Sequence, residues 1–542
     1  MKSLIANNVK IKAGCIVLLL YTLASIQLQF AIADESLDFS DDFVPSEFKL
    51  LVNELGSENL AVKKFYNERS FKSFWYGKSE NIDQLRKAFN KSILHGLPKS
   101  KYDFLSKDET LTTYEFELAA MDSFIQLISD LNSGILTPNE IDNSISVYPQ
   151  KTDHFKVFEE LEMVRKSTRS LEEFIYSFAP RDLEYKKLLN ELARLRNITK
   201  KGAWGPKVPE DKFLGYNLNH PNVGSLRSRL FSMGYLTFDN GSNLYDGEIK
   251  SAIQLFQADH GLNDDGVAGN YTLQAINISS KTRLIQVLVN LERIRWNDFR
   301  EHSKYIVVNQ PNFQAYLIED DTIVWQSRVV IGLPEHETQE FSDVMTHLII
   351  NPVWHVPRSI STTEYLPIIK ENPEFLEDND MTLIVRGTDQ KIDPSLIDMS
   401  QFEPDNFPFM IKQNPSNINA LGVVKFMFPN EFNIYMHDTP MKELFFKDER
   451  TFSHGCVRVQ DPFQFAFNLL KYQEAEPQKK FQKFLQTKKE SQINLEEPIP
   501  VNLTYRTVFF GDYGQPQFRS DIYGRDAVVF MALRDMGVVA LI

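Results

Sequence analysis

A multidomain α+β architecture is predicted for this 542-residue chain: a helical scaffold domain, a small three-helix module, and a β-rich mixed-sheet domain with an inserted capping subdomain. Three observations predict it. Apolar residues recur with helical period over residues 45–200, fall into three short helical stripes over 215–280, and alternate with a period of two over much of 300–490. The length exceeds what one hydrophobic core serves well, so several domains are expected. With 42% apolar and 24% charged residues the composition is that of ordinary globular protein. A net charge of −14 argues against a nucleic-acid or anionic-membrane partner.

At the N-terminus Lys2, Lys10 and Lys12 precede the apolar run "AGCIVLLLYTLASI", and Ala31, Ile32 and Ala33 follow. This order reads as a signal peptide over residues 1–33, with an uncleaved anchor, the only expected membrane contact, as the alternative. Cys15 stands at the start of the apolar run, where a lipoprotein would need its cysteine after it. Cleavage leaves Cys456 as the single thiol of an exported chain, without an intrachain disulfide partner. Such a residue is either buried and inert or a working nucleophile.

The helical domain is exemplified by "PRDLEYKKLLNELARLRN", where Tyr185, Leu188, Leu189, Leu192 and Leu195 share one face. The aromatic cluster "FYNERSFKSFW" at residues 65–75 reads as core. A Gly/Pro/Lys-rich stretch, "TKKGAWGPKVPED", marks a boundary. In the module beyond it, Val223, Leu226, Leu230 and Met233 form one stripe; Ile249, Ile253 and Phe256 a second; Thr272, Leu273 and Ile276 a third. The Asp/Gly-rich turn "GLNDDGVAGNYT" lies between the last two. Alternation then begins in "KYIVVNQPNFQAYLIEDDTIVWQSRVVIG" and is interrupted over residues 358–410 by a stretch with its own prolines, acids and the strand-like "MTLIVRG". That stretch is the expected capping insertion. Residues 491–542 form an extension expected to pack on the scaffold or the β-rich domain.

The chemistry centres on "FSHGCVRVQDP". A thiol becomes nucleophilic when a base or a positive environment raises its thiolate fraction, and the oxyanion it generates needs donors. His437, in "NIYMHDTP", is the candidate base, and strand alternation places Tyr435 on its side. Gly455 permits a bend that aims backbone N–H groups at a carbonyl oxygen. Arg458, two residues beyond Cys456, shares its face in an extended run, where its charge is expected to hold a substrate carboxylate or lower the thiol pKa. The histidines show no HExxH pattern and no Cys/His cluster, so no metal is expected.

The pairing of "HDTP" with "SHGCVRV", His437 standing sixteen residues before Ser453, resembles the L,D-transpeptidases of bacterial cell walls. The segment "YDGEIKSAIQLFQADHGLNDDGVAGNYTLQAIN" resembles peptidoglycan-binding modules, the alternative being a spacer. In chain order, "DLNSGILTP", "LLNELARLR", "LVNLERIRW", "NPVWHVPRSI", "NALGVVKFMFPNEFNIYMHDTP" and "VNLTYRTVFFGDYGQPQFRSDIYGRD" resemble the large periplasmic branch of the family. One departure is "KQNPSNINALG", where Lys412 and Ser416 stand in place of the branch's usual arginine and glycine. It bears on the loop's shape rather than on the chemistry.

The resemblance implies a catalytic domain over residues 300–490 that forms cross-links between third residues of neighbouring peptide stems. Cys456 is the implied nucleophile, His437 the base, and Tyr435, Gly455 and the Cys456 backbone the oxyanion donors. Ser453 and His454 hold the loop and contact substrate. Arg458 is either a carboxylate clamp or a structural brace, and Trp354 either a groove wall or a half-buried strand aromatic. No cofactor is needed. The implied partners are a tetrapeptide donor stem and a diaminopimelate acceptor stem, with a peptidoglycan synthase and a D,D-carboxypeptidase as cooperating proteins, in the periplasm of a Gram-negative type envelope. An L,D-carboxypeptidase, a sortase-like transpeptidase and a non-catalytic wall-binding scaffold are the alternatives.

Overall fold

The computed structural model describes residues 43–104, 111–164, 169–296, 302–511 and 513–538; the expected leader and Cys15 lie outside them. The described residues between 43 and 296 are mainly helical and share one apolar core. Local signals start several of these helices. Thr112 and Glu115 form a reciprocal capping box at Thr113–Ser133, Ser170 and Glu173 do the same at Leu171–Tyr176, and the Asp182 carboxylate caps Leu183–Lys200. The aromatic cluster is core: Phe65, Tyr66, Phe74 and Trp75 are buried. Buried Glu117 accepts hydrogen bonds from the Tyr66 hydroxyl and from the backbone N–H groups of Phe74, Trp75 and Tyr76, which fixes the turn after the second helix.

The module consists of helices Pro221–Met233, Gly247–Asp259 and Asn270–Asn277. Its Asp/Gly turn is held by Gln257, whose amide donates to Asp265, the Val267 carbonyl and Thr272. The following helix, Ser280–Arg295, is buried along nearly its whole length between the helical region and the C-terminal extension.

A ten-stranded mixed sheet carries the site. Its strands are β1 (Ile145–Ser146), β2 (Lys304–Asn309), β3 (Gln314–Glu319), β4 (Thr322–Gly332) and β5 (Glu340–Ile350), then β10 (Val424–Met427), β11 (Met436–His437), β12 (Thr451–Ser453), β13 (Val457–Val459) and β14 (Ser491–Thr504). Strand β14 bonds to both β2 and β5, so the sheet closes on itself. One face is apolar, with Leu348, Phe426, Met436 and Val457 buried under helix Pro462–Leu470, whose Phe465 stacks on Trp325. The other face carries the site. Strand β1 comes from the helical region and pairs in parallel with β5 at Glu340 and Phe341.

Between β5 and β10 a second, four-stranded sheet forms from β6 (Trp354–His355), β7 (Met381–Val385), β8 (Lys391–Ile392) and β9 (Phe409–Gln413) in the order β6-β9-β7-β8. It has its own core, including Trp354, Leu366, Leu383, Phe407 and Ile411, and Tyr435 of the main sheet packs against that core. The cap therefore lies over the polar face of the main sheet. The remaining hairpin, β15 (Val508–Phe510) with β16 (Pro516–Phe518), and helix Arg525–Asp535 pack on the buried helix Ser280–Arg295.

Candidate active site

Strand register assembles the site. Met436 pairs with Val457 and His437 with Arg458 in the parallel β11–β13 ladder, and the Val457 N–H bonds to the Tyr435 carbonyl. Because side chains alternate, Met436 and Val457 enter the core while Tyr435, His437, Cys456 and Arg458 share the opposite face. The Tyr435 and His437 rings lie 5.7 Å apart in an edge-on arrangement. The Tyr435 hydroxyl interacts with the Cys456 thiol and with the Trp354 side chain.

The His437 imidazole is buried, and its Nδ1 bonds to the Asp438 carbonyl oxygen. A carbonyl only accepts, so Nδ1 carries the proton and Nε2 keeps its lone pair. The Asp438 carboxylate is itself held, accepting from the Val423 N–H at 3.0 Å and the Lys442 ammonium at 2.5 Å. Burial, then the Arg458 guanidinium, push the imidazole's pKa down to about 3, with Lys425 and Lys442 adding to the effect. His437 is thus neutral at physiological pH, with the Nε2 lone pair unprotonated.

Burial pushes the Cys456 thiol up to about 11; hydrogen bonds from Tyr435 and the charges of Arg458 and Lys425 oppose the rise without overcoming it. Sequence reasoning about flanking cations points the other way, because it cannot register the desolvation. Half-buried Cys456 places its sulfur 3.8 Å from the Asn433 carbonyl. At rest the pair is therefore thiol and imidazole rather than an ion pair.

The loop carrying Cys456 is braced from both sides. The Ser453 hydroxyl donates to the Cys456 carbonyl at 2.6 Å and accepts from the Gly455 N–H at 3.2 Å. Gly455 has φ +104°, where a side chain is strained. Its carbonyl accepts from the Thr338 hydroxyl at 2.8 Å, and that hydroxyl accepts from the Gly332 N–H at 2.9 Å. His454 bonds Glu364 of the cap at 2.6 Å and stacks on His336 at 4.8 Å.

Trp354 is 8% exposed and belongs to the cap core, edge-on to Tyr365 at 6.2 Å. It reaches the site through Tyr435. Arg458 is half-buried; its Nη1 contacts Met441 Sδ at 3.8 Å, and its Nε has no hydrogen-bond partner. Four residues that sequence reasoning passed over also belong here: Lys425, Asp438, Thr338 and Glu364. Only Lys425 left a signal, as a charge within the apolar strand run "GVVKFMF".

Residues 303–477 match the family model described as the L,D-transpeptidase catalytic domain, residues 60–192 the scaffold domain, and residues 219–276 the "putative peptidoglycan binding domain". A protein of Haemophilus influenzae named "Putative L,D-transpeptidase" is 29% identical over 259 residues, covering 47% of this chain and 51% of that protein. The chain thus spans about half the length of this relative. Crystal structures of L,D-transpeptidases from Stackebrandtia nassauensis and Xylanimonas cellulosilytica are each 14% identical over 55% of this chain. They are covered to 97% and 98% of their lengths, with TM-scores of 0.20 and 0.16.

Proposed function

From a chain that belongs to the L,D-transpeptidases, with their catalytic domain beside a scaffold and a peptidoglycan-binding module, we infer a cysteine-dependent acyl transfer between peptidoglycan stems. The observation that carries the reading is the neutral His437, its Nδ1 tied to a carbonyl, on the same sheet face as Cys456 and one strand away. In the first step Nε2 takes the thiol proton as Sγ attacks the carbonyl at the L-centre of the donor's third residue. The C–N bond to the terminal D-alanine breaks, and the same proton passes to the departing amine. A thioester remains. In the second step the side-chain amine of a neighbouring stem attacks it, His437 accepts that amine's proton, and the proton returns to sulfur as the C–S bond breaks.

A thiol that rests protonated suits this scheme, because the base removes the proton only when an electrophile is in place. Tyr435 and the backbone N–H of Cys456 are the oxyanion donors, held in place by the bend at Gly455, whose own N–H is taken by the Ser453 hydroxyl. Ser453 fixes the loop, and His454 links it to the cap. Arg458, unpaired on the Cys456 strand, holds a carboxylate of the acyl portion. Trp354 orients Tyr435 from the cap side. The product is a third-to-third cross-link, and the compartment is extracytoplasmic; among the described residues no helix is long and apolar enough to cross a membrane.

Intact-mass measurement with a disaccharide-tetrapeptide tests the reading. The expected adduct on Cys456 equals the donor minus D-alanine. Decay to a dimer indicates cross-linking, decay to free tripeptide indicates a carboxypeptidase, and no adduct refutes the assignment.

A further inference from the structure

Lys425 is unassigned in the scheme above. It lies on β10, directly opposite His437 in the antiparallel β10–β11 ladder, just as Arg458 lies opposite His437 in the β11–β13 ladder. Three neighbouring strands thus present Lys425, His437 and Arg458 in one row on the site face, while the next residue along β10, Phe426, enters the core. The Lys425 ammonium is 5.8 Å from the centroid of the Tyr435 ring and acts electrostatically on Cys456 and His437. In a chain of net charge −14, neither flanking cation has a carboxylate within ion-pairing distance among the described residues. The carboxylate that most influences Lys425 is Glu490, which is engaged instead by the Val353 N–H at 2.6 Å. A half-buried ammonium that makes no contact ion pair among the described residues, beside the residue that protonates the leaving group, is a ready anion site.

We propose that Lys425 binds the terminal carboxylate of the donor's leaving amino acid and thereby selects stems that end at the residue after the scissile bond. The inference rests on the transpeptidase reading. The nitrogen that departs must sit at His437 Nε2 to receive its proton, and in an α-amino acid the carboxylate is two bonds from that nitrogen. Arg458 and Cys456 occupy the β13 side of His437, where the acyl portion lies. The leaving group's carboxylate therefore extends to the β10 side, and adjacent strands stand only about 4.8 Å apart, within a lysine's reach. A stem with one more residue would place an uncharged amide there.

The test compares acylation of Cys456 by a tetrapeptide donor ending in D-alanine and by the same donor ending in D-alaninamide. For the unaltered protein the acid should react roughly 10- to 100-fold faster in kcat/KM, the range of one charge-assisted hydrogen bond. Lys425→Met should lose that factor on the acid and little on the amide, so the ratio falls towards one; Lys425→Arg should retain part of it. Equal rates for acid and amide with the unaltered protein, or equal losses on both donors in Lys425→Met, would overturn the proposal. A thioester forming normally under either of those results would leave the transpeptidase reading standing. Absence of any thioester from either donor would sink that reading and the Lys425 assignment with it.

Discussion

The protonation state of Cys456 separates two kinds of cysteine acyltransferase. With the thiol at about 11 against an ordinary 9.0, its thiolate fraction at pH 7 is about one in ten thousand rather than about one in a hundred. A thiolate of higher pKa is the better nucleophile: at a Brønsted slope of about 0.45, two units recover about eightfold of the hundredfold loss. Attack on a small neutral aliphatic disulfide at pH 7 should therefore be about 10-fold slower than for an ordinary cysteine. It should climb about tenfold per pH unit without a plateau until about pH 11. The assay is mixed-disulfide formation at Cys456, followed by mass spectrometry across the pH range. His437→Ala should leave this profile nearly unchanged, because the neutral imidazole adds no charge at these pH values. A plateau below about pH 8 that disappears in His437→Ala would show a thiolate–imidazolium pair and refute the resting state described here.

Donor acylation should respond to His437 where disulfide exchange does not: His437→Ala is expected to slow thioester formation about 100-fold or more with the melting temperature preserved, and an unchanged rate would move the base elsewhere. Gly455→Ala meets only ordinary contacts, 3.6 Å to the Glu337 carbonyl and 3.8 Å to that of His336. Its cost is the φ of +104°, about 1–3 kcal/mol of strain. Calorimetry should show that loss, and mass spectrometry a steeper fall in acylation, about 100-fold, as the oxyanion donors shift. Acylation intact in that variant would detach the turn from catalysis. Glu364→Ala removes the bond from cap to His454, but both side chains are substantially exposed, at 44% and 33%. The donor's KM should change by no more than about fivefold, the equivalent of about 1 kcal/mol; a larger change would make this pair the main tether of the cap.

Much of the site was legible because its signals are local. Alternation alone placed Tyr435 with His437 and Cys456 with Arg458, and the φ of Gly455 follows from the need for a bend at the thiol. The apolar stripes of the module coincide with residues the fold buries, such as Val223, Ile253 and Leu273. What failed to show was non-local. Register between strands distant in sequence decides that Lys425 stands opposite His437, and nothing in "GVVKFMF" specifies that partner. Burial decides the direction of the thiol's pKa, and a sequence displays the flanking cations but not the desolvation. Strand β1 is two residues long and pairs with β5 almost two hundred positions later, a contact without any local pattern.

The same non-local logic explains how the C-terminal extension braces the Cys456 loop. Arg525 donates to the Glu337 carboxylate at 2.7 Å and to the Thr338 carbonyl at 2.8 Å, and the Tyr523 hydroxyl donates to the Gly332 carbonyl at 2.6 Å. These three acceptors belong to the turn whose Thr338 hydroxyl holds the Gly455 carbonyl. Beside Arg525, Asp526 bonds Thr507 and faces Arg293, and Arg293 pairs with Glu340 at the start of β5. Arg293 and Glu340 are almost fully buried, and removing one partner of such a pair costs about 3–5 kcal/mol, because a charge is then left without compensation. The extension, the buried helix and the start of β5 therefore cannot shift independently. A thiol on a short, half-buried loop keeps its alignment with His437 because that loop is fastened, through Thr338, to a strand anchored by a nearly fully buried ion pair.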